Sequence, residues 1–322
     1  MFTRTLGKSG IEVSAVGMGC WAIGGPWWWS DGRAMGWSQV DDAESMRAIH
    51  AALDMGVNFF DTAANYGAGH SERVLGQAVA GRRDAVVIAT KFGHIINEQT
   101  KIVDDDDDVL LDNIRQDCEN SLRRLGTDYI DLYQLHAGSY DPDKAVAVRD
   151  LLEEFVAEGK IRAYGWSTDH VDRARVFAQG QNCASIQFSL SVFNRNPGML
   201  ALCDEFDLGC VNKKPLSSGF LTGKFTADST FPEDDFRHRV VNFGEERFAQ
   251  LLRQVDALRE VLTRDGRTLA QGALGWIWAR SARAVPIPGS KTVAQVQENA
   301  GAMRFGALGE EQMQEVERIL ER

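Results

Sequence analysis

The chain has 322 residues, 44% of them hydrophobic and 25% charged, which is enough apolar material for one large α/β domain covering residues 1–322. Its formal net charge of −11 repels phosphate-rich surfaces, which argues against nucleic acid and membrane as partners and for a small soluble molecule. No run approaches the ~20 apolar residues of a membrane span and no leader pattern opens the chain, so a cytoplasmic protein is expected.

Residues 2–7 read as a short hairpin and 13–17 as the first strand of the main sheet. Trp21, Trp27, Trp28, Trp29 and Trp37 crowd the segment that follows. A helix then opens on Asp41 as N-cap, with Glu44 placed to complete a capping box, Met46, Ile49 and Leu53 on one apolar stripe, and Gly56 as the stop. Apolar runs at 57–60, 85–89, 129–135, 161–165, 184–188, 208–211 and 284–287 read as strands buried on both faces, most of them followed by helical patterns. The acidic run 104–108 precedes a helix expected from about Val109, whose dipole favours negative charge there. Residues 213–244 predict a large loop after the seventh strand, and 310–320 a C-terminal helix. Eight strand-and-helix units predict a (β/α)8 TIM barrel, with an open doubly wound sheet as the alternative.

In such a barrel the reactive groups lie where strands end. The run 57–60 ends in Asp61, with Tyr66 five residues on; 85–89 leads through Thr90 to Lys91; 129–135 ends in His136. Each has a plain alternative: Asp61 a turn former, Tyr66 a rim residue, Lys91 a surface charge, His136 a core group. Their conjunction on three consecutive strands favours a shared site. A lysine directly after a buried strand needs a counter-charge, and Asp61 on the neighbouring strand supplies one. A tyrosine beside that ammonium is expected to have its pKa drawn below ~10, making it a proton donor near neutral pH. The five scattered cysteines lack a Cys-x-x-Cys pair and the six histidines lack ligand spacing, so reduced thiols and no metal are expected.

The motif Asp61-Thr62-Ala63-Ala64-Asn65-Tyr66-Gly67 is followed by Gly69-His70-Ser71-Glu72, Thr90-Lys91, Gln134-Leu135-His136 and Gly165-Trp166-Ser167. Pro215-Leu216, Gly219-Phe220-Leu221-Thr222-Gly223-Lys224, Ile287-Pro288-Gly289-Ser290 and Glu298-Asn299 come later. This ordered set, spread over nearly the whole chain, resembles the aldo-keto reductase superfamily. The resemblance implies a catalytic tetrad of Asp61, Tyr66, Lys91 and His136, NADPH lying across the barrel mouth, and hydride transfer to an aldehyde or ketone. In it Tyr66 is the general acid, Lys91 its electrostatic tuner, Asp61 the anchor of Lys91, and His136 the group that orients the carbonyl oxygen. It further places Ser167, Thr168 and Gln187 at the nicotinamide carboxamide and Lys213 at the ring. Pro215, Leu216, Ser218, Gly219, Leu221, Gly223 and Lys224 fall over the pyrophosphate, and Gly289, Ser290, Lys291, Gln295, Glu298 and Asn299 around the adenosine.

Five positions depart from the family pattern, one of them Ala137, which follows His136 where some members have Trp. Thr168 stands where Asn is usual and Lys213 where many members stack a Tyr; Gly289 and Gln295 replace the Lys and Arg that commonly meet a 2′-phosphate. Lys291, with Ser290 and Thr292, remains to meet that phosphate, so NADPH is expected over NADH by a reduced margin. Trp21 and Trp27 are expected to line the substrate side, since indole faces suit sugars, flat rings and apolar aldehydes. Two glycine patterns fail: 17–22 does not open a helix as a dinucleotide fingerprint must, and 219–225 is one residue short of a P-loop. Two rival functions are a Schiff-base aldolase using Lys91 and a cofactor-binding, redox-sensing subunit with little turnover.

Overall fold

The computed structural model describes residues 2–321. Its main sheet holds eight parallel strands paired in chain order: β1 (Met18–Gly19), β2 (Phe59–Asp61), β3 (Val87–Phe92), β4 (Ile130–Leu135), β5 (Ile161–Ser167), β6 (Cys183–Ser189), β7 (Gly209–Lys213) and β8 (Ala284–Pro286). The ring closes where the Gly17 and Gly19 amides donate to Pro286 O and Pro288 O at 2.9 and 3.0 Å, and the Ser290 amide donates to Gly19 O at 3.3 Å. Outside it lie α1 (Asp42–Asp54), α2 (His70–Ala78), α3 (Leu110–Leu125), α4 (Pro142–Ala157), α5 (Val171–Ala178), α6 (Pro197–Glu205), α7 (Leu269–Arg280) and α8 (Val293–Gly301). This is the predicted (β/α)8 barrel, with the expected helix Glu310–Leu320 added.

Alternate strand residues face the ring interior or the helices. Phe59, Ala89, Leu132 and Val211 belong to one buried interior cluster together with Leu6, Ile11 and Val13, whereas Phe60, Ile88 and Tyr133 pack under the helices. Two residues further up the same strands the inward positions are Asp61, Lys91, Gln134 and Lys213. The barrel therefore has an apolar floor and a polar upper layer, and that layer is where the site forms.

The structure moves several predicted boundaries. Residues 13–17 are not the first barrel strand: Glu12–Ser14 pairs antiparallel with Thr3–Thr5, because Val13 joins Leu6 and Ile11 in plugging the barrel floor. The 85–89 run shifts to Val87–Phe92 after a 3-10 turn at Arg83–Ala85. Asp61, Lys91 and Ser167 thus lie inside their strands, near the upper ends, instead of just beyond them. Residues 213–244 form the expected long excursion, with a 3-10 segment at Ser217–Thr222 and a short helix at Phe236–Val240.

Asp41 caps α1 by accepting from the Ala43 and Glu44 amides at 2.8 and 3.3 Å. The carboxylate of Glu44 does not complete the capping box; it reaches across to accept from the Val293 amide at 2.9 Å, joining α1 to the start of α8. The acidic run is also used differently from the helix-dipole reading. Asp104 lies in a strand, Ile102–Asp104, that pairs with Trp28–Trp29 and Ile95–Asn97. Asp104 accepts from Ser30 at 2.8 Å, Asp105 pairs with His94, and Asp108 pairs with Lys144 at 2.8 Å. All five cysteines are buried and unpaired. Among the described residues no helix is long and apolar enough to cross a membrane.

Candidate active site

The loop after β2 carries Tyr66, and its shape depends on close backbone contact. Gly67 has φ +63°, and a Cβ there would sit 2.0 Å from Gly24 O, so the Tyr66 loop and the loop after β1 touch main chain to main chain. Lys91, on β3 and wholly buried, donates to Asp61 Oδ1 at 2.6 Å, Thr62 O at 2.7 Å and the Tyr66 hydroxyl at 3.2 Å. The second Asp61 oxygen accepts from the side-chain amides of Gln134 and Gln187 at 3.1 and 2.7 Å.

Burial works against the Lys91 ammonium, but Asp61 and Tyr66 outweigh it and hold the group above its ordinary pKa. For Tyr66 the expected depression is not found. Burial raises its phenol above the ordinary value, and Lys91 offsets that only in part. Because the phenol oxygen accepts from Lys91, its own proton is left to donate into the cavity.

His136 follows β4, its amide bound to Phe92 O at 2.8 Å. Its Nδ1 lies 3.1 Å from Asn65 Oδ1 and its ring stands edge-on to Tyr66 at 5.8 Å. Enclosure by protein, then the neighbouring His94, Lys91 and Lys213, push its pKa well below 6.5, so it is neutral at physiological pH.

These groups open on a cavity of about 610 Å³ that runs across the barrel mouth. Its wall includes Asp61, Tyr66, His136, Trp21 and Trp27, then Gln187, Lys213, Pro215, Leu216, Ser218, Gly219 and Lys224, and also Gly289, Lys291, Gln295, Glu298 and Asn299. Ser167 sits just behind, donating to Gln187 Oε1 at 3.3 Å and lying 3.4 Å from Lys213 Nζ. Ser290 accepts from Asn299 at 3.0 Å. Five expected cofactor residues, Ser167, Ser290, Thr168, Leu221 and Gly223, are not brought to the wall. Thr168 spends its hydroxyl on Gly138 O at 2.7 Å, Leu221 is buried in the core, and Gly223 ends the 3-10 segment with φ +71° against Leu269 and Arg259.

The donor set fits a nicotinamide dinucleotide. Lys214, Lys224 and Lys291 all face the groove, and among the described residues none has an ion-pair partner. Burial lowers the Lys224 pKa, and the nearby Arg237 and Lys291 lower it further, a crowding of cations that a bound pyrophosphate relieves. Positive φ at Lys214, Ser217, Ser218 and Gly219 bends the chain here into the kind of concave backbone that receives anions.

Several lining residues escaped the sequence reading: Asn65, His94, Trp29, Trp37, Phe236 and Arg237. Asn65 sits directly before Tyr66, a signal that was available. Phe236 and Arg237 come from the irregular excursion, which carries no local pattern. Trp21 lies 4.5 Å from Phe236 and 5.9 Å from Trp37, and stacks over Tyr66 at 6.0 Å. Arg237 is paired to Asp235 at 2.6 Å and lies 4.0 Å over Trp37, so its charge is already balanced.

The profile of the aldo/keto reductase family matches residues 15–321. An NADP(+) aldo-keto reductase of Schizosaccharomyces pombe is 32% identical over 94% of this chain and 86% of its own. An NADH-specific methylglyoxal reductase of Escherichia coli is 31% identical over 93% of each chain. A glycerol dehydrogenase from Gluconobacter oxydans superposes with a TM-score of 0.84 at 31% identity, covering 99% of this chain and 95% of that one. With strand order, polar barrel layer and profile in agreement, the chain belongs to the aldo/keto reductase family and is an NAD(P)H-dependent oxidoreductase.

Proposed function

We propose that residues 1–322 form one catalytic domain that reduces an aldehyde or ketone to the alcohol with NADPH, using Tyr66 as general acid. The observation that carries this reading is the Tyr66 hydroxyl, 3.2 Å from a buried, Asp61-bound Lys91, in a groove also lined by Lys214, Lys224 and Lys291, which have no ion-pair partner among the described residues. When bound, the reduced nicotinamide supplies a hydride to the carbonyl carbon. The chain's own residues do the rest. Tyr66 gives its proton to the carbonyl oxygen, Lys91 steadies the phenolate left behind, and Asp61 keeps Lys91 charged and in place. Neutral His136 directs the carbonyl oxygen toward Tyr66. Ser167 and Gln187 orient the carboxamide, Lys214 and Lys224 meet the pyrophosphate, and Lys291 favours the 2′-phosphate. The aromatic wall of Trp21, Trp27, Trp29, Trp37 and Phe236, with its cation balanced, suits a neutral carbonyl compound with a flat or apolar body. Free, buried thiols suit a reducing compartment such as the cytoplasm.

An aldolase role for Lys91 is disfavoured by its raised pKa and three hydrogen bonds, because a Schiff-base nucleophile must be a neutral amine. Steady-state reduction of 4-nitrobenzaldehyde by NADPH tests the proposal. Tyr66→Phe is expected to lower kcat by about 10² to 10⁴ with NADPH affinity unchanged. Activity within tenfold of the parent removes Tyr66 from the role, and a borohydride-trapped adduct on Lys91 restores the aldolase reading.

A further inference from the structure

The glutamate that leaves its capping box bears on which dinucleotide the groove accepts. On the reading proposed above, the turn from Ser290 into α8 receives the adenosine ribose, and three backbone N–H groups of that turn already have acceptors. The Lys291 amide donates to Gln295 Oε1 at 2.9 Å, the Val293 amide to Glu44 Oε1 at 2.9 Å, and the Gln295 amide to Thr292 Oγ1 at 3.3 Å. One of these acceptors, Glu44, bears a full negative charge. The bond from the Val293 amide, then Arg47, holds the Glu44 carboxyl below its ordinary pKa, so it stays ionised near neutrality. Arg47 donates to the other carboxylate oxygen at 2.8 and 3.0 Å, but it is 59% exposed against 28% for Glu44, so solvent screens the cation of this pair more than the carboxylate. Lys291, two residues before Val293, lines the groove without an ion-pair partner among the described residues.

We propose that Glu44 is a cofactor-selecting residue, whose carboxylate at the start of α8 opposes the 2′-phosphate of NADPH and keeps NADH acceptable. A phosphate monoester carries roughly −1.5 to −2 charges near neutral pH, and it is stabilised at a helix start by free N–H groups and the positive end of the helix dipole. Here an anion from α1 already sits on one of those N–H groups. Lys291 attracts the phosphate while Glu44 repels it, so the preference for NADPH over NADH is small. A 2′-hydroxyl is neutral and feels neither charge strongly.

The test is titration of NADPH and NADH, by quenching of tryptophan fluorescence, into the parent, Glu44→Gln and Glu44→Asp, with melting temperatures alongside. The parent is expected to bind NADPH no more than about tenfold tighter than NADH. Glu44→Gln keeps the length and an oxygen for the Val293 amide but removes the charge. Its NADPH Kd is expected to fall about five- to tenfold, while its NADH Kd stays within about twofold. Glu44→Asp, which keeps the charge, is expected to gain no NADPH affinity, and about 0.5 M NaCl is expected to shrink the parent-to-Gln difference. A parent preference above about a hundredfold overturns the proposal without recourse to any variant. So does an unchanged NADPH Kd in Glu44→Gln, or an equal shift for both cofactors, which marks Glu44 as a helix-packing residue only. Failure of the parent to bind either dinucleotide overturns the proposed function as well, whereas the other outcomes leave it standing.

Discussion

Lys91 keeps its charge with no exposure to solvent because carboxylate, carbonyl and phenol oxygens surround the ammonium. Removing that charge strands Asp61 in a buried site, and breaking one side of a buried pair costs about 3 to 5 kcal/mol. Lys91→Met is therefore expected to melt well below the parent and to lose activity as fully as Tyr66→Phe. The double variant Asp61→Asn, Lys91→Met should regain much of the stability and none of the turnover, as thermal melts and steady-state assays will read. His136 gives a pH signature of another kind. Its folded pKa is well below the ~6.5 of an unfolded histidine, so between those values the unfolded chain binds a proton that the folded chain refuses. Stability from this residue is full above pH ~6.5 and declines as pH falls through that value. Melting temperatures measured from pH 7.5 down to 5 should fall less steeply in His136→Leu than in the parent.

At the level of elements, the position of Tyr66, the proposed general acid, depends on two glycines that contribute no side chain. Gly67→Ala places a methyl 2.0 Å from Gly24 O at a residue with φ +63°, a left-handed conformation that costs a β-carbon about 1 to 2 kcal/mol before any clash. The variant is expected to lose both melting temperature and kcat although every reacting group remains, while Gly81→Ala, whose neighbourhood is open, pays only the conformational cost and retains kcat. Asp61, Lys91 and His136 stood out in the sequence because each is a polar residue at or beside the end of a continuous apolar run, and Tyr66 was found only by its place five residues beyond Asp61. The floor was harder to read. Val13 has the alternation of a barrel strand, but its partners Leu6 and Ile11 are known only once the hairpin has folded under the ring. Glu44 followed the local capping rule in spacing and broke it in fact, since its acceptor role is filled by an amide 249 residues away. The wall formed by Phe236 and Arg237 comes from a segment with no period at all, held instead by the bond from the Phe236 amide to Gly36 O at 3.0 Å.

The whole molecule carries a net charge of −11, yet its groove gathers Lys214, Lys224 and Lys291 without ion-pair partners among the described residues. An anionic dinucleotide thus approaches through a repulsive mean field toward a local attraction, and salt screens both. If, as proposed, the lysines meet the phosphates, raising NaCl from about 0.02 to 0.5 M should weaken NADPH more than NADH. Equal salt slopes for the two would mean that no net attraction from Lys291 reaches the 2′-phosphate once Glu44 is counted against it.

The seam that closes the ring, from Gly17 and Gly19 to Pro286, Pro288 and Ser290, has a consequence for how the protein comes into being. Until residues near 290 have been synthesised, β1 lacks its second neighbour and β7 has an open edge, a template for pairing with other chains. The loop bearing Trp21 and the one bearing Tyr66 are made more than 200 residues before their sheet can close. Ring closure therefore joins contacts of very long sequence separation, which slows folding. On a ribosome translating at about 5 to 20 residues per second the nascent chain spends roughly ten seconds or more in that open state, the interval in which its unpaired strand edges are most exposed to other chains.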